Sequence, residues 1–247
     1  GNVIGSNIAN LALVLGVTVL IFPIIVERQT KVIDWPVMML ATILFYIFLF
    51  DGIIELWEGL VLFSFLVAFV TWLIRRSRQE AKSKIDVHVD KESTLLTVGY
   101  LILGLIGLYF GSEWFVEGAV QIAVSLGMST SVIGVTIVAF GTSAPELVAS
   151  CVAAYRKQSD ISIGTLIGSN IFNIMAVLGL TSIVSPIGLK SADASQFLNF
   201  DMFWVGGVAL LLLPMLYIGS KFGRLKGLIL LSSYIMYISI IIFSNTP

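Results

Sequence analysis

Charge is what this sequence has least of. Asp, Glu, Lys and Arg make up 12% of its 247 residues and leave a net charge of −1, where a soluble domain carries about twice that charged fraction. With 57% hydrophobic residues and a mean hydropathy of +1.01, the chain belongs in a membrane. A charge so near zero gives nucleic acid or an acidic partner nothing to bind by, so neither is expected. Cysteine is nearly absent as well: Cys151 stands alone and cannot form an intrachain disulfide, and its apolar segment reads it as a small packing residue. The single histidine, His88, lies in a charged stretch and reads as solvated linker. With one thiol and one imidazole, a site for a soft metal cannot be assembled. The start of the chain has no charged leader and no small-residue cleavage site of the signal-peptide kind.

What is present is long apolar text. Runs of about 20 apolar residues are long enough to cross a bilayer as helices, and eight candidates lie near 3–26, 36–50, 55–74, 94–126, 130–155, 162–185, 199–218 and 224–244. The runs are continuously apolar and lack the alternation of barrel strands, which predicts an all-α polytopic membrane protein. "DGIIE", Asp51 to Glu55, reads as a tight turn between the second and third helices, and the long fourth helix reads as tilted or continued past the membrane face. Gly107 with Gly111, and Gly223 with Gly227, form GxxxG spacings that read as close packing or a turn.

Basic residues give the orientation. If 75–93 is a cytoplasmic loop, alternation puts 27–35, 156–161 and 219–226 on its side, and thirteen of the fourteen Lys and Arg lie inside, with only Lys190 outside. One missed or spurious helix would scramble that division.

The phrase "GNVIGSNIANLALVLG", residues 1–16, returns as "GTLIGSNIFNIMAVLG", residues 164–179. On the orientation above the two copies run in opposite directions, the arrangement of inverted-repeat transporters, whose substrate site lies near the midplane. Residues 1–74 then form three helices of a first repeat, 75–93 the loop, and 94–247 a second repeat of five. The imbalance leads us to expect two further helices ahead of Gly1, ten in all.

The second repeat carries "FGTSAPE". Pro145 has no N–H for the carbonyl of Gly141, so the helix must kink or break there, and carbonyls around Ala139 to Gly141 need another partner, for which a cation is one candidate. Glu146 follows, an acid deep in an apolar run. Burying an Asp at a membrane helix centre costs about 2.5–3.5 kcal/mol on insertion scales, so an idle acid there is hard to sustain. Thr142 and Glu146 are four apart and share a face, with Ser143 one turn before Glu146; Ser169 and Asn173 repeat the spacing of Ser6 and Asn10. Hydroxyl, amide, carboxylate and carbonyl oxygens are the ligands hard cations such as calcium take. Singly, such Ser, Thr and Asn residues serve helix packing, and Asn7 and Asn170 are read that way. The paired copies raise the others, because packing does not require one phrase on two antiparallel helices.

These residues resemble a family. "GTSAPELVAS", "DISIGTLIGSNIFNIMAVLG" and "GNVIGSNIANLALVLG" are similar to the alpha repeats of the calcium/cation antiporter superfamily, in its sodium/calcium exchanger branch of prokaryotic type. The resemblance covers nearly the whole chain. It implies that Glu146 and Thr142 bind calcium, that Ser143, Ser169, Ser6 and the Ala139 carbonyl serve sodium, and that Asn10 and Asn173 line the centre. It also implies ten helices, no cofactor, calcium and sodium as transported ions, the lipid bilayer as surroundings, and the plasma membrane as location. Potassium-dependent members carry Asp where this chain has Asn173, which argues against potassium co-transport.

Two other readings stand beside sodium-driven calcium export. A proton/calcium antiporter of the same superfamily could use the same carboxyl, which protons can occupy as well as cations. A cation channel would pass ions without exchange. An enzyme is not expected: Ser143 has no membrane-embedded His or Lys to activate it, and no metalloprotease motif occurs.

Overall fold

Apolar runs of this length can satisfy their backbone groups in hydrocarbon only by coiling into helices, and the computed structural model is a bundle of them. It describes residues 1–83, 94–127, 133, 139–189, 196–219 and 221–245. Helix α1 spans Asn2–Ile21, α2 Thr30–Phe48, α3 Leu56–Ser83 and α4 Thr94–Ser125. Two short pieces follow, α5 (Ala139–Thr142) and α6 (Ala144–Tyr155). Helix α7 starts as Ser159–Phe172 and continues through a π-helical turn, Asn173–Leu178, into Gly179–Val184. Helices α8 (Phe197–Tyr217) and α9 (Arg224–Asn245) complete the set.

Seven of these helices are long and apolar enough to cross a membrane. They match seven of the eight runs read from sequence. Three boundaries moved: α1 ends at Ile21 rather than near 26, because the chain turns extended at Phe22; α2 starts at Thr30 rather than near 36, because the segment Thr30–Asp34 coils as a π-helical turn; and α3 continues past 74 to Ser83. The eighth run, 130–155, is broken as Pro145 requires, with Ser143 at φ −98°, ψ 1° between α5 and α6. Its beginning, the His88 linker and Lys190 lie outside the described residues.

Helix α1 is the centre of the bundle: Ile8, Ala9, Leu11, Ala12, Val14 and Leu15 are all buried. Ile163, Leu166, Ile167 and Ile174 of α7 and Val208, Ala209 and Leu212 of α8 belong to the same core. Helix α4 differs, exposing Leu95, Tyr100, Leu103 and Trp114, as a hydrocarbon-facing helix does.

The contacts come in matched pairs. Gly16 of α1 meets α9, where a Cβ on Gly227 would lie 2.8 Å from the Gly16 carbonyl; Gly179 of α7 meets α3, where a Cβ on Gly59 would lie 2.7 Å from the Gly179 carbonyl. The last helix of each half thus packs on the repeated helix of the other. Four two-residue strands, which periodicity did not reveal, repeat the exchange. Strand β1 (Ile24–Ile25) pairs antiparallel with β4 (Lys221–Phe222), and β2 (Ile53–Ile54) with β3 (Ile187–Gly188). The first pair ties the segment between α1 and α2 to the segment just before α9. The second joins the "DGIIE" turn, where Gly52 takes φ +86°, to the loop after α7 at its end. The GxxxG readings divide: Gly227 is a close-packing position, whereas a Cβ on Gly107 or Gly111 would meet nothing within 4 Å among the described residues.

Candidate functional site

The break between α5 and α6 organises the site. Pro145 sits in the first turn of α6 with Glu146 beside it, so the carboxylate lies at a helix N-terminus, where the exposed N–H groups favour negative charge. The Gly141 carbonyl that Pro145 cannot serve accepts a hydrogen bond from the Ser112 hydroxyl of α4 at 2.6 Å. For Gly141 this replaces the expected cation with a protein hydroxyl, and Ser112 is a residue the sequence reading missed. The pieces approach closely because Gly141 has no side chain; a Cβ there would collide with Val116 of α4.

Six of the eight residues singled out from sequence are joined by hydrogen bonds into this region. The Ser6 and Thr142 hydroxyls are 3.2 Å apart, linking α1 to α5. The Ser169 hydroxyl donates to Glu146 Oε1 at 3.3 Å, linking α7 to α6. Asn10 Nδ2 donates to Asn170 Oδ1 at 3.1 Å and Asn173 Nδ2 to Asn7 Oδ1 at 3.2 Å, linking α1 to α7. Ser143, the seventh, is buried at the break beside Thr142. Ala139, the eighth, begins α5, which packs against the first turns of α1.

Asn10 is the second residue of a π-helical segment, Ala9–Val14, and Asn173 opens the matching segment Asn173–Leu178. Such insertions re-aim side chains and recur at functional sites. Asn7 and Asn170, read from sequence as packing residues, are each 1% exposed and take part in the same network, with Asn170 Nδ2 also donating to the Asn7 backbone carbonyl at 3.1 Å. The signal for them was available, since the repeat preserves both.

Three buried oxygens here make no hydrogen bond among the described residues: Glu146 Oε2, Ser143 Oγ and Asn10 Oδ1. A buried polar atom without a partner costs about 1–3 kcal/mol. Carboxylate, hydroxyl and amide oxygens are the donors a hard cation takes. Asp201 of α8, a buried acid, is 2% exposed and accepts from the Tyr237 hydroxyl of α9 at 3.1 Å.

A helical bundle with matched exchanges between its halves, and polar oxygens gathered at a broken helix, defines an inverted-repeat membrane transport protein. Comparison with known proteins gives the family. The model of the sodium/calcium exchanger protein family matches residues 1–75 and 96–243. A putative antiporter, CaxA, of Alkalimonas amylolytica is 36% identical over 96% of this chain and 76% of its own length. The sodium/calcium exchanger MaX1 of Methanosarcina acetivorans is 28% identical over 98% of this chain and 79% of its own. A solved structure of the sodium-calcium exchanger NCX_Mj, soaked with 2.5 mM Na+ and 0.1 mM Ca2+, superposes with a TM-score of 0.78 at 34% identity, covering 97% of this chain and 74% of that one. The chain belongs to the sodium/calcium exchanger protein family. It is a multi-pass membrane antiporter, not an enzyme.

Proposed function

We propose that this protein uses the sodium gradient to export calcium across the plasma membrane by alternating access. The proposal divides the chain into halves 1–74 and 94–247 joined by a cytoplasmic segment, 75–93, whose first part extends α3 to Ser83, and takes Glu146, Thr142, Ser143, Ala139, Ser169, Asn173, Ser6 and Asn10 as the ion ligands contributed by these residues. The observation that carries it is that Glu146 Oε2, Ser143 Oγ and Asn10 Oδ1 are all buried and without hydrogen-bond partners among the described residues, on helices that two hydroxyl contacts, Ser6–Thr142 and Ser169–Glu146, tie together.

In this reading Glu146 supplies charge for calcium, while neutral hydroxyl and amide oxygens suffice for sodium. Ser6, assigned to sodium, touches Thr142, assigned to calcium, so the two ions draw on overlapping oxygens and cannot fill the site together. A site emptied of both leaves a carboxylate unneutralised in hydrocarbon, which disfavours movement of the empty form and couples the two fluxes.

The test is calcium uptake into proteoliposomes holding the intact protein. Uptake should follow an outward sodium gradient and stop when sodium is equal on both sides. A second reading, proton/calcium exchange, draws on the same Glu146 Oε2, which makes no hydrogen bond among the described residues and can take a proton. Calcium flux driven by a pH gradient in sodium-free medium would select it.

A further inference from the structure

Four asparagines meet where α1 and α7 pack together, and their bonds are crossed. Asn10, the second Asn of the first GSNIxN phrase, gives its Nδ2 hydrogen to Oδ1 of Asn170, the first Asn of the other phrase. Asn173, the second Asn of its phrase, gives its Nδ2 hydrogen to Oδ1 of Asn7. Each residue proposed as a ligand is thereby held at its nitrogen end by a residue of the opposite helix.

That crossing matters because a carboxamide has two unlike ends. Its oxygen accepts a cation; its NH2 group, a donor only, repels one. An unrestrained Asn turns either end toward an ion site, whereas one whose nitrogen is engaged elsewhere presents oxygen. Asn10 conforms: its Oδ1 is buried and makes no hydrogen bond among the described residues.

We infer that Asn7 and Asn170 are positioning residues, each binding the amide nitrogen of the Asn on the opposite helix and so holding that residue's oxygen toward the ion. This rests on the proposal that Asn10 and Asn173 are ion ligands. Simple helix glue accounts less well for Asn7, whose buried Nδ2 has no partner among the described residues while its Oδ1 alone is engaged. Because each aim is set from the opposite helix, relative movement of α1 and α7 disturbs both ligands together.

Asn7 gives the cleaner test, because its only side-chain bond among the described residues is the one that holds Asn173. In the intact protein, Asn7→Leu, near in volume and without polar atoms, should raise the half-saturating sodium and calcium concentrations for exchange about tenfold, the scale of one lost hydrogen bond to a buried group. With Asn173→Asp already in place, both ends of residue 173 are oxygen and no aiming is needed. There Asn7→Leu should change half-saturation less than about twofold. Asn7→Asp, which keeps an acceptor for Asn173, provides a second variant and should hold the aim where Asn7→Leu loses it. Equal losses from Asn7→Leu in both backgrounds, or equal losses from Asn7→Asp and Asn7→Leu, would overturn the positioning role and leave the ligand proposal standing. Unchanged ion dependence in Asn173→Ala would overturn the ligand proposal, and the positioning role of Asn7 with it.

Discussion

The hydroxyl of Ser6, on the central helix α1, lies 3.2 Å from the hydroxyl of Thr142, the last residue of α5. A contact between residues 136 apart in sequence ties the first copy of the repeated phrase to the broken helix of the second half. It also places an oxygen assigned to sodium against one assigned to calcium. Ser6→Ala should therefore weaken sodium more than calcium, raising half-saturating sodium by about tenfold if one oxygen ligand is lost. Sodium titration of calcium uptake in proteoliposomes measures it; an equal loss for both ions would separate Ser6 from the sodium role.

Glu146→Gln removes charge and keeps shape. Its Oε1 accepts from Ser169 and its Oε2 has no partner among the described residues, so folding should survive, an amide being cheaper to bury than a carboxylate. Calcium affinity should fall by about a hundredfold or more, because the lost attraction acts in a poorly screened site. Sodium, needing less charge, should still protect the variant from proteolysis. Parental exchange rates in a normally folded variant would remove Glu146 from the centre of the site.

Asn173→Asp adds a carboxylate where the chain has an amide. The structure adds a consequence: the donor to Asn7 Oδ1 is lost and two acceptors come to face each other, so the Asn7 amide must turn. The ion dependence of exchange should change, since one more charge has to be neutralised before the carrier moves. Flux measured against sodium, potassium and pH tests this, and an unaltered profile would take residue 173 out of the site.

Gly227→Leu probes the exchange of helices between halves. A Cβ at Gly227 would lie 2.8 Å from the Gly16 carbonyl and 3.2 Å from the Leu20 nitrogen, both backbone atoms that cannot step aside. Overpacking of this kind costs about 1–3 kcal/mol. A lowered melting temperature in detergent is expected, whereas the same change at Gly107, which meets nothing among the described residues, should leave it unaltered.

Ser112→Ala removes the hydroxyl that holds the Gly141 carbonyl. Leaving that carbonyl unserved should cost about 1–3 kcal/mol and loosen the break that presents Glu146. Slower exchange together with lower thermal stability is the expected pair; loss of neither would mean that the carbonyl finds another partner.

Much of this protein was settled by its sequence. Scarce charge and apolar runs of membrane length admit only helices, because hydrocarbon offers the backbone no other partner. The ring of Pro145 breaks its helix wherever that helix sits. The doubled GSNIxN phrase named Ser6, Asn10, Ser169 and Asn173 as a matched set before any contact was known. Tertiary structure decided what spacing along one chain cannot encode. Which end of an asparagine amide faces a site depends on the neighbour that takes the other end, so Asn7 and Asn170 read as packing until α1 and α7 were brought together. The same holds for Ser112, whose hydroxyl reaches the Gly141 carbonyl from another helix. The paired strands Ile24–Ile25 and Lys221–Phe222 are too short to carry a period of their own. They form because helices placed by burial leave two extended segments side by side, whose backbone groups then pair with each other.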